Sequence, residues 1–284
     1  MSYRTLLTVV TNAADASAAI GAAARLCASE DAHLDVLALG VDHSNIGYSY
    51  VGASAAMMPM MLDRSEEDAR RQEAAALAAL AEQFPDLRCS VETAMVQIGM
   101  LTDLIASRAR YTDLVVLSQP YGDGRGVESE AVLEAALFEG HAPVLVLPAK
   151  PPSPDAPTLP RRIVLAWDQS AEAMAATRRA LPLLKGAERV SIVMIDPSSQ
   201  GSERSDPGAA LCQMLVRHGV RAQVTVLART RPQVADVLMQ HIRDEGADLL
   251  VMGAYGHSRF REAILGGATR AMLTAAEVPM FMAH

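Results

Sequence analysis

The stretch from Asp248 to Thr269, DLLVMGAYGHSRFREAILGGAT, decides the fold of this chain. It begins with an apolar run that does not alternate with polar residues, as expected of a strand covered on both faces. The run leads directly into Gly253-x2-Gly256, and nine residues later Gly266-Gly267-x-Thr269 opens a predicted helix. A strand, a glycine turn and a helix in this order are typical of an α/β domain with a parallel sheet.

The two halves of the chain carry the same succession of elements, which indicates an internal repeat. Ala-rich helical stretches follow the first strand of each half, near residues 13–29 and 171–185. The predicted strands are Arg4–Val10, His33–Val41, Arg88–Val96, Asp113–Leu117 and Ala142–Leu147 in the first half, and Arg162–Trp167, Arg189–Ile195, Arg221–Leu227, Asp248–Met252 and Val278–Met282 in the second. We therefore expect an α/β fold of two tandem, doubly wound, flavodoxin-like domains, each with a five-stranded parallel sheet.

A proline-rich segment divides the halves. Lys150–Pro160 reads KPPSPDAPTLP, in which five prolines in eleven residues exclude a helix or a central strand. We expect domains at 1–149 and 161–284, joined by a semi-extended linker at 150–160. The insert 43–62, which contains Met57, Met58, Met60 and Met61, is expected to form a loop that packs on its own domain or on a partner.

Composition excludes several classes of protein. The net charge is −8, which argues against general binding to nucleic acid or to an anionic membrane. The net charge is −10 over residues 1–150 and +2 over residues 151–284, so the second half is the more favourable place for an anionic ligand. The three cysteines are far apart in sequence, no metal-ligand spacing is present, and no leader or membrane-spanning run is recognised. We expect a cytoplasmic protein without a metal site of its own.

The glycine motif of the second half has the chemistry of a phosphate site. Gly253 and Gly256 lack a Cβ, so the backbone can turn sharply and approach a ligand closely. Gly266 and Gly267 lead into the last helix, whose first N–H groups and dipole favour an anion. The Thr269 hydroxyl can add a hydrogen bond.

This motif resembles the nucleotide signature of the universal stress protein family, G-x2-G-x9-G-(S/T), and the chain as a whole resembles the tandem members of that family. The resemblance implies the adenine nucleotide alpha hydrolase-like fold and a bound ATP or AMP, with Mg²⁺ where ATP is bound. It also implies that domains pair edge to edge through their last strands, here Val144–Leu147 with Met280–Met282, either within the chain or between two chains. One departure is Gly267, which stands where the signature has Ser or Thr.

The resemblance assigns the ligand contacts to three places in the second half. Asp168 matches the acidic residue after strand one that contacts the nucleoside, and Ile195 falls where adenine would pack. The complete predicted set is Ala166, Trp167, Asp168, Ile195, Met252, Gly253, Gly256, His257, Gly266, Gly267, Ala268 and Thr269. No catalytic residue is predicted, because His257 and Ser258 are adjacent and do not make a useful dyad.

The first half has lost the corresponding signals. Counted back from the shared X-Pro strand, Glu130 falls where Gly266 falls, and its carboxylate would repel a phosphate. Val10 or Thr11 stands where Asp168 stands. We expect Gly122, Gly124 and Gly126 to form a solvent loop, and the first half to be a structural or regulatory partner.

Three functions are compatible with these residues. The first is a nucleotide-binding stress-response protein that acts as a sensor or effector, with absent or slow ATP hydrolysis. The second is an ATP-pyrophosphatase or nucleotidyl-transfer enzyme, which is disfavoured because no glycine follows strand one in Asp168–Ala173. The third is an interaction or dimerisation module in which both sites have decayed.

Overall fold

A computed structural model describes residues 2–42, 54–122, 125–150, 159–197, 208–254 and 268–284. Contacts between residues divide the chain into two compact units, Ser2–Ala142 and Pro143–His284. Within the described residues, no helix combines the length and the apolar character needed to cross a membrane.

The first unit contains a parallel sheet whose successive strands are connected by helices. Its strands have the order β3-β2-β1-β4, and each neighbouring pair is parallel. The strands are β1 (Thr5–Val10), β2 (His33–Asp42), β3 (Cys89–Gln97) and β4 (Leu114–Ser118). The helices are α1 (Ala13–Glu30), α2 (Ser54–Gln83), α3 (Leu101–Ala109) and α4 (Val127–Glu134), with a 3-10 turn at Ile98–Met100 and a π turn at Ala135–Glu139.

The second unit repeats this arrangement and adds two strands at one edge. Its order is β5-β10-β9-β6-β7-β8, in which β5 is antiparallel to β10 and the other pairs are parallel. The strands are β5 (Val144–Leu147), β6 (Arg162–Ala166), β7 (Arg189–Ile195), β8 (Ala222–Leu227), β9 (Leu249–Gly253) and β10 (Met280–Ala283). The helices are α5 (Ala171–Arg179), α6 (Leu181–Gly186), α7 (Ala209–Arg217), α8 (Val234–Glu245) and α9 (Ala268–Ala275).

The predicted α/β fold class is confirmed. The central strands are apolar on both faces because helices cover both: Ile163, Val164 and Leu165 of β6 and Leu250 and Val251 of β9 are at most 1% exposed. The edge strand β3 instead alternates between partly buried and exposed positions, as its sequence pattern predicts.

Strand β5 has a particular place in this fold. Val144, Leu145 and Val146 pair with Met282, Phe281 and Met280. The strand pairing predicted between Val144–Leu147 and Met280–Met282 is therefore made within one chain. Phe281 is fully buried at this pairing.

In each unit, an aspartate that precedes one strand accepts hydrogen bonds from the backbone at the start of the neighbouring strand. Asp113 precedes β4, and its Oδ2 accepts hydrogen bonds from the backbone N–H groups of Arg4 (2.7 Å) and Thr5 (3.1 Å) at the start of β1. Asp248 precedes β9, and its carboxylate accepts from the N–H groups of Arg161 (2.9 Å) and Arg162 (3.0 Å) at the start of β6. Equivalent residues thus make equivalent bonds, which supports the internal repeat.

The prediction of a loop at 43–62 is wrong for residues 54–62. Helix α2 begins at Ser54, so Met57, Met58, Met60 and Met61 lie on helical backbone, because an Ala- and Met-rich run has high helix propensity. Residues 43–53 and the predicted linker residues 151–158 lie outside the described residues.

Candidate functional site

A cleft of about 420 Å³ lies at the carboxyl ends of β6, β7 and β9 in the second unit. The strand order reverses between β6 and β9, because β7 continues on one side of β6 and β9 lies on the other. Doubly wound sheets bind their ligands at such a switch point. The cleft is lined by Ala166, Trp167, Asp168, Gln169, Ser170, Val193, Met194, Ile195, Asp196, Pro197, Val234, Ala235, Leu238, Met252, Gly253, Thr269 and Met272.

Seven of the predicted site residues lie within the part of the chain that the structure describes and are brought together in the cleft. They are Ala166, Trp167, Asp168, Ile195, Met252, Gly253 and Thr269, and all of them line this cleft. Ala268 is the first residue of α9. Gly256, His257, Gly266 and Gly267 lie outside the described residues.

One side of the cleft is apolar. Trp167 and Ile195 are partly buried at the ends of β6 and β7, and Ala235 and Leu238 of α8 are buried opposite them. Such a surface packs against a flat, weakly polar ring. Sequence analysis missed the contribution of α8, because its amino-terminal turn carries no motif that ties it to the cleft.

The rim beside β6 is polar and its backbone is fixed by local bonds. Asp168 Oδ1 accepts from the N–H of Ser170 at 3.0 Å, and Ser170 Oγ caps α5 by accepting from the N–H of Ala173 at 3.0 Å. Between them, Gln169 has a left-handed backbone with φ of 66°. The D-x-S spacing is the signal that predicts such a cap.

A second carboxylate lies at the end of β7. Asp196 also has a left-handed backbone, with φ of 44°, and its Oδ1 accepts from the N–H of Arg229 at 3.2 Å. Left-handed residues other than glycine cost of the order of 1 kcal/mol or more and cluster at functional sites. Asp196 was not in the predicted set, although it directly follows Ile195.

Gly253 has a packing role that the motif alone does not reveal. A Cβ at this position would lie 2.6 Å from the backbone nitrogen of Ala173 and 2.8 Å from the carbonyl carbon of Glu172. The glycine therefore allows the first turn of α5 to approach the end of β9. This contact holds α5, and with it the Asp168 turn, against the cleft.

Two side chains carry hydrogen-bonding groups into the wall of the cleft. Thr269 lies in the first turn of α9 and is 4% exposed. Trp167 is anchored by its backbone N–H, which donates to the carbonyl of Val193 at 2.9 Å. Its indole Nε1 is buried and has no hydrogen-bond partner among the residues that the structure describes.

The corresponding place in the first unit has smaller cavities. The register of the sheet places Thr11 at the position of Asp168 and Ser118 at that of Gly253. Gln72 of α2 donates from Nε2 to the carbonyl of Thr11 at 2.9 Å, and the hydroxyl of Tyr121 donates to Glu130 Oε1 at 2.6 Å. The cavities beside these residues measure about 20 and 190 Å³, against about 420 Å³ in the second unit.

Metal ligands are not clustered in the part of the chain that the structure describes. No group of three or more His, Cys, Asp or Glu side chains there is arranged to hold an ion. Asp168 and Asp196 both line the cleft, and they follow the neighbouring strands β6 and β7.

The fold and the cleft define a doubly wound α/β domain with a cavity at its switch point, a class whose members bind small ligands there. Residues 160–284 match the family model described as "Universal stress protein family". The second unit is therefore a universal stress protein domain.

Relatives agree with this assignment. Universal stress protein Slr1230 of Synechocystis is 25% identical over 124 residues, which are 42% of this chain and 41% of that protein. The match thus spans about two fifths of the relative's length.

Solved structures show that the resemblance in fold extends over the whole chain. The crystal structure of a universal stress protein from Archaeoglobus fulgidus superposes with a TM-score of 0.67 at 15% identity, over 100% of this chain and 96% of that one. A protein of unknown function from Pseudomonas aeruginosa PAO1 gives 0.54 at 15% identity, over 99% and 92%.

Proposed function

We propose that this chain is a tandem universal stress protein that binds one adenine nucleotide, ATP or AMP, in the cleft of the second unit. The observation that carries the proposal is the convergence of Ala166, Trp167, Asp168, Ile195, Met252, Gly253 and Thr269 on one cavity. These residues come from three strands and a helix that are far apart in sequence.

The order of the strands suggests how the nucleotide lies. Parallel strands are about 4.8 Å apart, so β9 and β7 are separated by two spacings, about 10 Å, across β6. The first turn of α9 favours phosphate beside β9. The apolar surface around Ile195 suits the base at β7, and Asp168 at β6 then accepts hydrogen bonds from the ribose hydroxyls.

In this proposal the first half does not bind a nucleotide. Its strand-end cavities are small, and Glu130 replaces the glycine that approaches a phosphate. The bond from Tyr121 holds this carboxylate in place. The equivalent hydrogen bonds that Asp113 and Asp248 accept support descent of both halves from one domain.

We propose binding rather than turnover as the activity, with the protein acting in the stress response as a nucleotide-dependent sensor or effector. Asp168–Ala173, which follow the first strand of the second unit, contain no glycine, which disfavours an enzyme of the ATP-pyrophosphatase type. Mg²⁺ would accompany ATP, held by the phosphates.

The test is a calorimetric titration of the nucleotide-stripped protein with ATP and Mg²⁺, and in parallel with AMP. We expect one site per chain, and quenching or enhancement of the fluorescence of the chain's single tryptophan, which lines the cleft. Asp168→Ala should weaken binding about tenfold, since a hydrogen bond to a charged group contributes about 1.5 kcal/mol.

Two outcomes would contradict the proposal. Two nucleotides per chain would mean that the first half is a working site. Absence of heat and of thermal stabilisation at millimolar ATP would leave the interaction module as the better description.

A further inference from the structure

The side chain of His284 holds the residue at which the chain leaves β9. Strand β10 pairs with β9 as far as Gly253, which lies opposite Ala283. The ladder continues by one bond, because the N–H of Ala254 donates to the carbonyl of Ala283 at 2.9 Å. The carbonyl of Ala254 then accepts from the imidazole Nδ1 of His284, also at 2.9 Å. Both backbone polar groups of Ala254 are therefore bonded to Ala283 and His284.

The chemistry of the bond fixes the role of the imidazole nitrogen. A carbonyl oxygen only accepts hydrogen bonds, so Nδ1 of His284 carries a proton and donates it. Because a peptide unit is planar, a bond to the carbonyl of Ala254 sets the orientation of the whole unit that leaves this residue. Ala254 itself is fully buried among close-packed neighbours, so its position is also confined.

Ala254 directly follows a residue of the cleft. Gly253 lines the cleft, and α5 confines it from one side, because a Cβ there would lie 2.6 Å from the backbone nitrogen of Ala173. Ala254 is confined from another side by the hydrogen bonds to Ala283 and His284. The direction in which the chain leaves the cleft is therefore set between α5 and the residues that end β10.

The matching position of the first half has no such donor. Both halves carry the X-Pro strand, at Pro143 and at Pro279. Counted from these prolines, Pro148 stands where His284 stands. Proline has neither a backbone N–H nor a donor in its side chain, so it cannot hold a carbonyl in this way. The donor is thus present in the unit with the larger cleft and replaced in the unit with the smaller cavities.

We propose that His284 is a positioning residue of the cleft, whose Nδ1–H holds the carbonyl of Ala254 and so orients the exit of β9 for the ligand. The inference rests on the proposed function, because nucleotide affinity at the same cleft is its readout. In this role His284 does not touch the ligand. The bond orders the exit of β9 in advance, so that less conformational entropy is lost on binding.

Three substitutions of His284 test the hydrogen bond in the full chain. His284→Asn keeps an N–H donor at the place of Nδ1, His284→Gln moves the donor one bond farther along the side chain, and His284→Ala removes it. Calorimetric titration with AMP should give wild-type affinity for His284→Asn and a loss of about threefold to fivefold for the other two. His218→Ala is the matched control, because His218 is exposed at the end of α7 and should leave the affinity unchanged.

Nuclear magnetic resonance of the imidazole nitrogens adds a readout that a change in stability alone would not move. The signals that disappear in His284→Ala identify the ring of His284, and they should show a proton on Nδ1 in the wild type. A ring that carries its proton on Nε2 alone would overturn the proposal.

The outcomes separate this inference from the function on which it rests. Wild-type protein that binds neither AMP nor ATP would refute the proposed function itself. Wild-type binding together with an unaltered affinity of His284→Ala, or with equal losses in His284→Ala and His284→Asn, would refute the role of His284 alone. Thermal unfolding establishes that each variant folds, and if His284→Ala does not, the comparison of His284→Asn with His284→Gln decides in the same way.

Discussion

At the scale of single residues, Gly253 has two roles, and the sequence indicates only one of them. The sequence indicates a glycine that turns the chain and approaches a ligand. The structure adds that the missing Cβ is needed for α5, whose backbone at Ala173 would lie 2.6 Å from it. The two roles are linked, since α5 begins at the turn that carries Asp168.

We predict that Gly253→Ala destabilises the second unit by about 1–3 kcal/mol, because a rigid backbone and not a flexible side chain has to move. Chemical denaturation measures this change, and nucleotide affinity should fall with it. The control is Gly186→Ala in α6, where an added Cβ meets nothing within 4 Å. Equal stability of the two variants would show that the close approach of α5 is not required.

Two buried residues of the first unit respond to alkaline pH. Burial raises the pKa of the Cys27 thiol from its ordinary 9.0 to about 12, with Asp35 and Cys89 adding repulsion. Burial likewise raises the pKa of Tyr3 above its ordinary 10.0, with smaller effects of Glu30 and Asp113. Both groups stay neutral in the folded chain at a pH where the unfolded chain ionises them.

The free energy of unfolding should therefore be fully retained below pH 9 and fall as the pH rises from about 9 towards 12. For Cys27 alone, the loss at pH 10.5 is up to about 2 kcal/mol, at 1.36 kcal/mol for each pH unit above the ordinary pKa. Urea titrations at pH 8 and pH 10.5 measure it. Cys27→Ala should show a smaller decrease than the wild type between these two pH values, and an identical decrease would mean that Cys27 does not contribute.

At the scale of secondary-structure elements, the strands could be predicted because each is a short apolar run with a clear end. Predicted β7 coincides with Arg189–Ile195, and β6 differs by one residue at its end. The sequence predicts a loop at 43–62, which includes the first nine residues of α2, because Met-rich segments fit both helices and flexible contacts. Asp196 and Gln169 escaped prediction because left-handed backbone at residues other than glycine leaves no reliable trace in sequence.

Because Asp113 and Asp248 make equivalent hydrogen bonds, removal of either carboxylate should destabilise its own unit by a similar amount. Asp113→Ala and Asp248→Ala each remove the acceptor for two strand-opening N–H groups. We expect each to lower the free energy of unfolding by about 1–2 kcal/mol, since these bonds are charge-assisted but lie at the surface. Glu82→Ala, on the exposed end of α2, should stay within about 0.5 kcal/mol of wild type. A loss in only one unit would show that the bonds do not act alike.

At the scale of the whole molecule, the two halves share one order of strands and differ in the size of the cavities at the strand ends. The repeat, the α/β class and the cleft-forming strand ends could be predicted from the sequence, because parallel strands place their carboxyl ends at one edge. The hydrogen bond from Gln72 to Thr11 in the first unit could not be predicted, because α2 and Thr11 are distant in sequence and only packing brings them together. Charge follows the same division, with −10 on residues 1–150 and +2 on the remainder.

The placement of β5 has a consequence for anyone who divides this chain into fragments. The family match begins at residue 160, but the sheet of that unit begins with Val144. A fragment cut within the proline-rich segment would leave β10 with an open hydrogen-bonding edge formed by Met280, Phe281 and Met282, the kind of edge that recruits other strands and aggregates. A fragment that keeps β10 paired with β5 therefore starts at Pro143, where the compact second unit begins, and not at the start of the family match.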